Sequence, residues 1–288
     1  MKESVTLIGF GEAGQAFASG WAGRARAYDK LTDDPATREA KQADYRQAGI
    51  HGAESLAAAL EGAGLVLSLV TADQAVAVAR EAAGLTAAGT LYCDLNSVAP
   101  GSKREAASAI EASGGHYLDV AILAPVNPAR LAVPLLLSGP AAAAAETPLR
   151  SLGFSNLRIV GPRVGQASAI KMIRSVMVKG IEALTAECML AAHAAGVADE
   201  VLASLDASDK AMPWAERANY NLDRMIVHGL RRAEEMDEVV RTLEDLGVEP
   251  AMTRGTALRQ REIGSLRIAR PAGSLAAKIA QIEGRTSE

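Results

Sequence analysis

Two stretches of the sequence carry residue types and spacings suited to chemistry: a glycine-rich loop near the start and a lysine in mid-chain. Gly9-Phe10-Gly11-Glu12-Ala13-Gly14 reads G-x-G-x-x-G, directly after the apolar run Val5-Thr6-Leu7-Ile8. In a strand–turn–helix setting Gly9 permits the tight turn, Gly11 lets the backbone approach a pyrophosphate, and Gly14 lets the helix pack on the sheet. The helix N-terminus then offers free N–H groups and the positive end of its dipole to phosphate. Asp29 stands twenty residues after Gly9. A carboxylate there accepts both ribose hydroxyls of NAD and opposes a 2′-phosphate, whereas Lys30 or Arg26 would hold that phosphate and keep NADP open. The plainer reading of Asp29 alone is a solvated turn residue.

Lys171 lies in Gly165-Gln166-Ala167-Ser168-Ala169-Ile170-Lys171-Met172-Ile173-Arg174-Ser175. Apolar neighbours predict a largely buried helix, in which an unpaired ammonium is costly. Buried lysines shift pKa readily and serve as acid–base groups. A lysine on a helix is more often simply solvated, so this feature is weaker by itself than the glycine loop. Ser175 falls at i+4, on the same face. A third polar cluster, Asp94-Leu95-Asn96-Ser97-Val98-Ala99-Pro100, follows an apolar run, and Ser97 there also reads as a helix cap.

These residues need elements to position them. Short apolar runs at Val5–Gly9, Ala25–Asp29, Leu65–Val70, Thr90–Leu95, Tyr117–Ile122, Leu135–Ser138 and Leu157–Val160 read as strands. They alternate with helical segments, the clearest opening at Asp34-Pro35 and stopping at Gly49. That alternation predicts βαβ units and a mostly parallel, Rossmann-type sheet. From about Val164 to Ala195 the chain has no proline and one interior glycine, Gly180, so a continuous helix is expected. Asp199–Ser208, Trp214–Val227, Arg231–Leu246 and Thr253–Ile263 read as further helices. The expected organisation is an α/β dinucleotide-binding domain over residues 1–162 and an all-α domain over 163–288, with 163–195 as a long interdomain helix.

Composition narrows the function. The 288 residues carry a net charge of −4 and only 3% aromatics, which argues against nucleic acid as a partner. No run reaches the ~18 apolar residues of a membrane span. The start lacks the apolar stretch of a secretory signal. Cys93 and Cys188 are isolated, which predicts two buried small hydrophobes rather than a disulfide, and His51, His116 and His193 have no metal-ligand spacing. A cytoplasmic, metal-free protein is expected.

The chain resembles the β-hydroxyacid dehydrogenases, relatives of 6-phosphogluconate and 3-hydroxyisobutyrate dehydrogenase. The region His228-Gly229-Leu230-Arg231-Arg232-Ala233-Glu234-Glu235-Met236 resembles a subgroup with an uncharacterised C-terminal domain. The resemblance implies an NAD(P)-dependent oxidoreductase acting on a small hydroxyacid-like substrate, with Lys171 as general acid/base and a homodimer formed through the helical domain. It places Val70, Thr71 and Asn96 with the glycine loop and Asp29 on the cofactor, and Ser97 and Ser175 on substrate. It also exposes departures. The family's D-A-P-V-S-G-G segment aligns to Asp119-Val120-Ala121-Ile122-Leu123-Ala124-Pro125, so Leu123 replaces the serine that would hold a carboxylate, and Asn127 enters only if the register slips. The family's Lys-Asp pair falls on Glu234-Glu235, with His228 and Arg231 close by in sequence. The bland reading of Arg231 is an i,i+3 pair with Glu234. Imine or amine reduction on the same fold is an alternative, against which Lys171 counts because related imine reductases usually replace it. A non-catalytic dinucleotide sensor is another.

Overall fold

The computed structural model describes residues 5–208 and 211–286. It begins with β1 (Val5–Ile8), α1 (Glu12–Ala18), β2 (Ala25–Tyr28), α2 (Pro35–Ala48), β3 (His51–Gly52), α3 (Leu56–Leu60) and β4 (Leu65–Ser68). There follow α4 (Ala75–Ala83), β5 (Leu91–Asp94), α5 (Pro100–Ala112), β6 (His116–Ile122), β7 (Leu135–Ser138), α6 (Ala142–Ser151) and β8 (Leu157–Gly161). The remainder is helical: α7 (Gln166–Ala194), α8 (Ala198–Ser208), α9 (Trp214–Asp245), α10 (Ala251–Ser265) and α11 (Leu275–Thr286). The chain divides into two compact units, Met1–Val176 and Met177–Glu288.

In the first unit the strands form one sheet of order β3-β2-β1-β4-β5-β6-β7-β8. All pairs are parallel except β6 with β7. The run from β3 to β6 has the doubly wound order that reverses beside β1, where such sheets take up dinucleotides. Strand alternation builds two cores. Val5, Leu7, Leu65, Leu67 and Cys93 point to one, closed by Phe17, Trp21 and Phe154. Ile8, Val66 and Tyr92 point to the other, with Ile110 and Tyr117. Trp21 satisfies its indole N–H on the Leu152 carbonyl at 2.7 Å. The start and stop signals of α2 act as expected: the Asp34 side chain accepts the Ala36 N–H, and Gly49 ends the helix at φ +67°.

The structure corrects several expectations. The segments Trp214–Val227 and Arg231–Leu246 are parts of one helix, α9, which runs through Gly229. The glycine permits a close contact: a Cβ on Gly229 would lie 2.4 Å from the Gln260 carbonyl and 2.9 Å from the Gly264 backbone of α10. Helices α6 and α11 are additional to those expected. Cys93 is buried but Cys188 is exposed. The apolar residues of α7 are not largely buried; Ile173 and Val176 are each 71% exposed within this chain.

In the second unit Glu187 of α7 receives the Met252 and Thr253 N–H groups at 2.8 and 2.9 Å, together with the Thr253 hydroxyl, and so caps α10. Burial opposes ionisation of Glu187, but these hydrogen bonds outweigh it and hold the carboxyl below its ordinary pKa. Lys278 of α11 is buried against Asp223 and Asn219 of α9. Among the described residues no helix is long and apolar enough to cross a membrane.

Candidate active site and cofactor loop

The glycine loop leaves the C-terminal end of β1. Gly9 adopts φ +89°, and a Cβ there would fall 2.5 Å from the Leu69 carbonyl. A Cβ on Gly14 would meet the Gly9 carbonyl at 2.9 Å, so that glycine brings α1 against the loop. At Gly11 nothing lies within 4 Å of the Cβ position, leaving the backbone open on that side. Gly11 caps α1 without a side chain, and the first-turn amides, Glu12 and Ala13 among them, have no partner within their own helix. A loop of this shape fits a dinucleotide pyrophosphate. Phe10 is fully buried, its ring against Tyr45 at 5.0 Å.

Asp29 does more than border the loop. Its Oδ2 accepts the Phe10 N–H at 2.7 Å and its Oδ1 accepts the Leu31 N–H at 3.0 Å. Each carboxylate oxygen can accept twice, so room is left for ribose hydroxyls. Lys41, for which the sequence pattern gives no signal, is buried and donates to the Phe10 carbonyl at 2.9 Å and to Asp44 at 2.8 Å. The loop is therefore held from both sides of Phe10.

Beyond β4 and β5 the chain builds the second wall. Asn96 is buried; its carbonyl oxygen accepts the Val70 N–H at 2.7 Å and its amide donates to Ser68 at 3.0 Å. Thr71 is exposed one residue later. Ser97 is exposed, and Lys171 on α7 donates to its hydroxyl at 2.5 Å. Lys171 itself is half-buried. Ser175 uses its hydroxyl to back-bond the Lys171 carbonyl at 2.9 Å.

Of the other substrate candidates in this unit, Leu123 packs with Ala121, Leu136 and Ala167, beneath the first turn of α7. Its carbonyl takes an Arg174 N–H at 3.5 Å. Asn127 is exposed and precedes Pro128 in a cis peptide. His228, Arg231 and Glu234 belong to α9 of the second unit, where His228 is half-buried and the other two are exposed.

One constellation lies outside the expectations drawn from sequence. Lys103, with no exposed surface, places its ammonium 2.9 Å from Asp94 Oδ1 and 3.6 Å from Asp119 Oδ1. Tyr117 donates its hydroxyl to Asp94 Oδ2 at 2.5 Å. Burial, then the neighbouring Asp94 charge, pushes the Tyr117 phenol far above its ordinary range, so it stays a neutral donor. A signal for this cluster exists: Lys103 shares the spacing of Ala106, Ala107 and Ile110, the buried stripe of α5.

Comparison with known proteins agrees with this geometry. Residues 4–149 match the NAD binding domain of 6-phosphogluconate dehydrogenase, and residues 192–263 match a domain of unknown function, DUF1932. A conserved hypothetical protein from Sinorhizobium meliloti 1021 is 35% identical, over 99% of this chain and 97% of that one, with a TM-score of 0.61. The conserved protein MTH1747, described as structurally similar to 3-hydroxyacid dehydrogenases, is 30% identical over 91% of this chain and 97% of its own, with a TM-score of 0.57. An imine reductase from Streptomyces aurantiacus shares the fold, with a TM-score of 0.71 at 22% identity over 96% and 99% of the two chains. With its glycine loop, reversed sheet order and helical C-terminal part, the chain belongs to the 6-phosphogluconate dehydrogenase-like family of NAD(P)-binding proteins.

Proposed function

We propose that the protein interconverts an alcohol and a carbonyl compound, with Lys171 as general acid/base. The observation that carries this reading is the Lys171–Ser97 contact, beyond the C-terminal ends of the strands, on the side of the sheet where the glycine loop also lies. Bound NAD(P) supplies the hydride acceptor or donor at nicotinamide C4. In oxidation neutral Lys171 takes the hydroxyl proton; in reduction its ammonium donates to the developing alkoxide. Ser97 shares a hydrogen bond with that amine and orients both it and the substrate oxygen. The pyrophosphate belongs on the Gly9–Gly14 loop, with Asp29 on the ribose.

The substrate is hydroxyacid-like but bulkier or more apolar than usual. Leu123, seated in an apolar cluster under α7, has no hydroxyl with which to hold a carboxylate. We read residues 1–162 as the dinucleotide-binding domain and 163–288 as a helical substrate and dimerisation domain. Reduction of a C=N bond is the second reading, favoured by the exposed acid Glu234. A panel of alcohols, hydroxyacids, ketones and imines with NAD(H) and NADP(H), followed by nicotinamide absorbance, separates the two. Turnover of imines but of no alcohol or carbonyl would overturn the first reading.

A further inference from the structure

We propose that Asp119 is a positioning residue for Lys171, acting through the buried cluster it forms with Lys103 and Asp94. The inference rests on Lys171 being the proton-transfer group, and it names what sets that amine in place. Asp119 Oδ2 receives the Gly165 N–H at 3.0 Å, the Ser168 N–H at 3.1 Å and the Ser168 hydroxyl at 3.1 Å. It also receives the Ser138 hydroxyl at 2.9 Å, and Ser138 Oγ in turn accepts the Ala167 N–H at 2.9 Å. Orphan amides at the start of α7 are thus satisfied by a carboxylate from β6 rather than by a cap of the helix's own. Lys171 comes three residues after Ser168, on the next turn.

The other partner in the contact is fixed by the same ammonium. Lys103 donates to the Asp94 carbonyl at 2.6 Å and to Asp94 Oδ1 at 2.9 Å. Asp94 Oδ1 accepts the Asn96 N–H at 2.9 Å, which sets the chain entering Ser97. One buried cation therefore lies between the carboxylate that anchors the Ser97 loop and the carboxylate that anchors the Lys171 helix. All three side chains are buried, so none reaches a substrate. Their effect must pass through Ser97 and Lys171. Hydrogen bonds of this kind are stiff because a buried carboxylate stripped of its partners is costly.

The test reads the lysine itself. Lysines of the full-length protein are labelled by reductive methylation with ¹³C-formaldehyde, and the Lys171 resonance is identified by its loss in Lys171→Arg. Its titration is followed by NMR in Asp119→Asn, in the milder Ser168→Ala and in Ile110→Val, a core change that controls for destabilisation alone. The expected result is a shifted Lys171 titration midpoint in Asp119→Asn and Ser168→Ala, none in Ile110→Val, and unchanged NADH affinity throughout. With an identified substrate, kcat should fall by up to about 10²-fold, the scale of an ångström-sized misplacement, with the cofactor KM unmoved. If Asp119→Asn does not fold, Ser168→Ala carries the measurement. A wild-type Lys171 midpoint in the folded variants overturns the positioning role, whatever Lys171 does. Full turnover in Lys171→Met would instead overturn the acid–base reading and leave the NMR result standing.

Discussion

Lys171 and Ser97 are 74 positions apart in the chain, yet the lysine amine donates to the serine hydroxyl at 2.5 Å. The contact joins the first turns of a long helix to the loop leaving a central strand. If this amine moves the proton, Lys171→Met should lower turnover by ~10²–10⁴ while leaving cofactor affinity little changed, because methionine keeps the stem and removes only the base. Kinetics and cofactor titration on the same preparation check both halves. Near-normal turnover would end the proposed mechanism.

Cofactor choice turns on Asp29, whose carboxylate accepts the Phe10 and Leu31 N–H groups. Those bonds hold the charge beside the glycine loop, where it should repel a 2′-phosphate. NADH is therefore expected to bind more tightly than NADPH. Asp29→Ser should narrow that gap and weaken both cofactors, since the Phe10 amide loses its charged acceptor. Dissociation constants by fluorescence titration decide the matter; equal affinities in the unaltered protein would remove Asp29 from a selective role.

Much of this site is legible in the amino-acid sequence. The strand, loop and helix around Gly9–Gly14 carry local signals, and the parallel sheet follows from alternating apolar runs. Legibility fails where the deciding contact lies far away in the chain. Sequence breaks the helix at residues 228–230, because the partner that keeps Gly229 small, Gly264, is on another helix. Asp94 and Asp119 stand in recognisable motifs, but only strand register places Asp94 opposite Asp119, both within reach of Lys103. The apolar pattern of α7 predicts burial, and it cannot say whether the covering surface comes from the same chain.

That last point gives a prediction about assembly. Ile173, Val176, Ile181 and Leu184 leave α7 apolar and exposed in one copy. A run of exposed apolar residues of this kind marks an interface. Sedimentation should give a dimer at micromolar concentration, and Ile181→Asp should shift it toward monomer. A monomeric parent protein would refute the pairing.

Glu187 ties α7 to the start of α10, and its carboxyl is held below the ordinary value of 4.5. A depressed acid contributes stability that is fully present above its unfolded pKa and is lost as pH falls through the folded one. Glu187→Gln should therefore cost ~0.5–2 kcal/mol at neutral pH, the range of a lost helix cap. The gap between variant and parent should close as the pH drops below 4.5. Denaturant melts at neutral and acid pH measure it, and a gap that is constant with pH would contradict the assignment.

Two glycines in the helical unit should respond in opposite directions to the same substitution. Gly229 of α9 meets Gly264 of α10 with no room between them: an added methyl would stand 2.4 Å from the Gln260 carbonyl and 2.9 Å from the Gly264 Cα. Those are backbone atoms and cannot swing aside, so the helices would have to part. Alanine gains up to ~1 kcal/mol of helix propensity, but overpacking against backbone costs ~1–3 kcal/mol and should win. Gly229→Ala is thus expected to destabilise the unit. Gly255, within α10, has nothing within 4 Å of its Cβ position. There the propensity gain stands unopposed, and Gly255→Ala should stabilise by up to ~1 kcal/mol. Thermal and denaturant unfolding of the two variants give the comparison. If both gain stability alike, the close crossing at Gly229 does not hold α9 against α10.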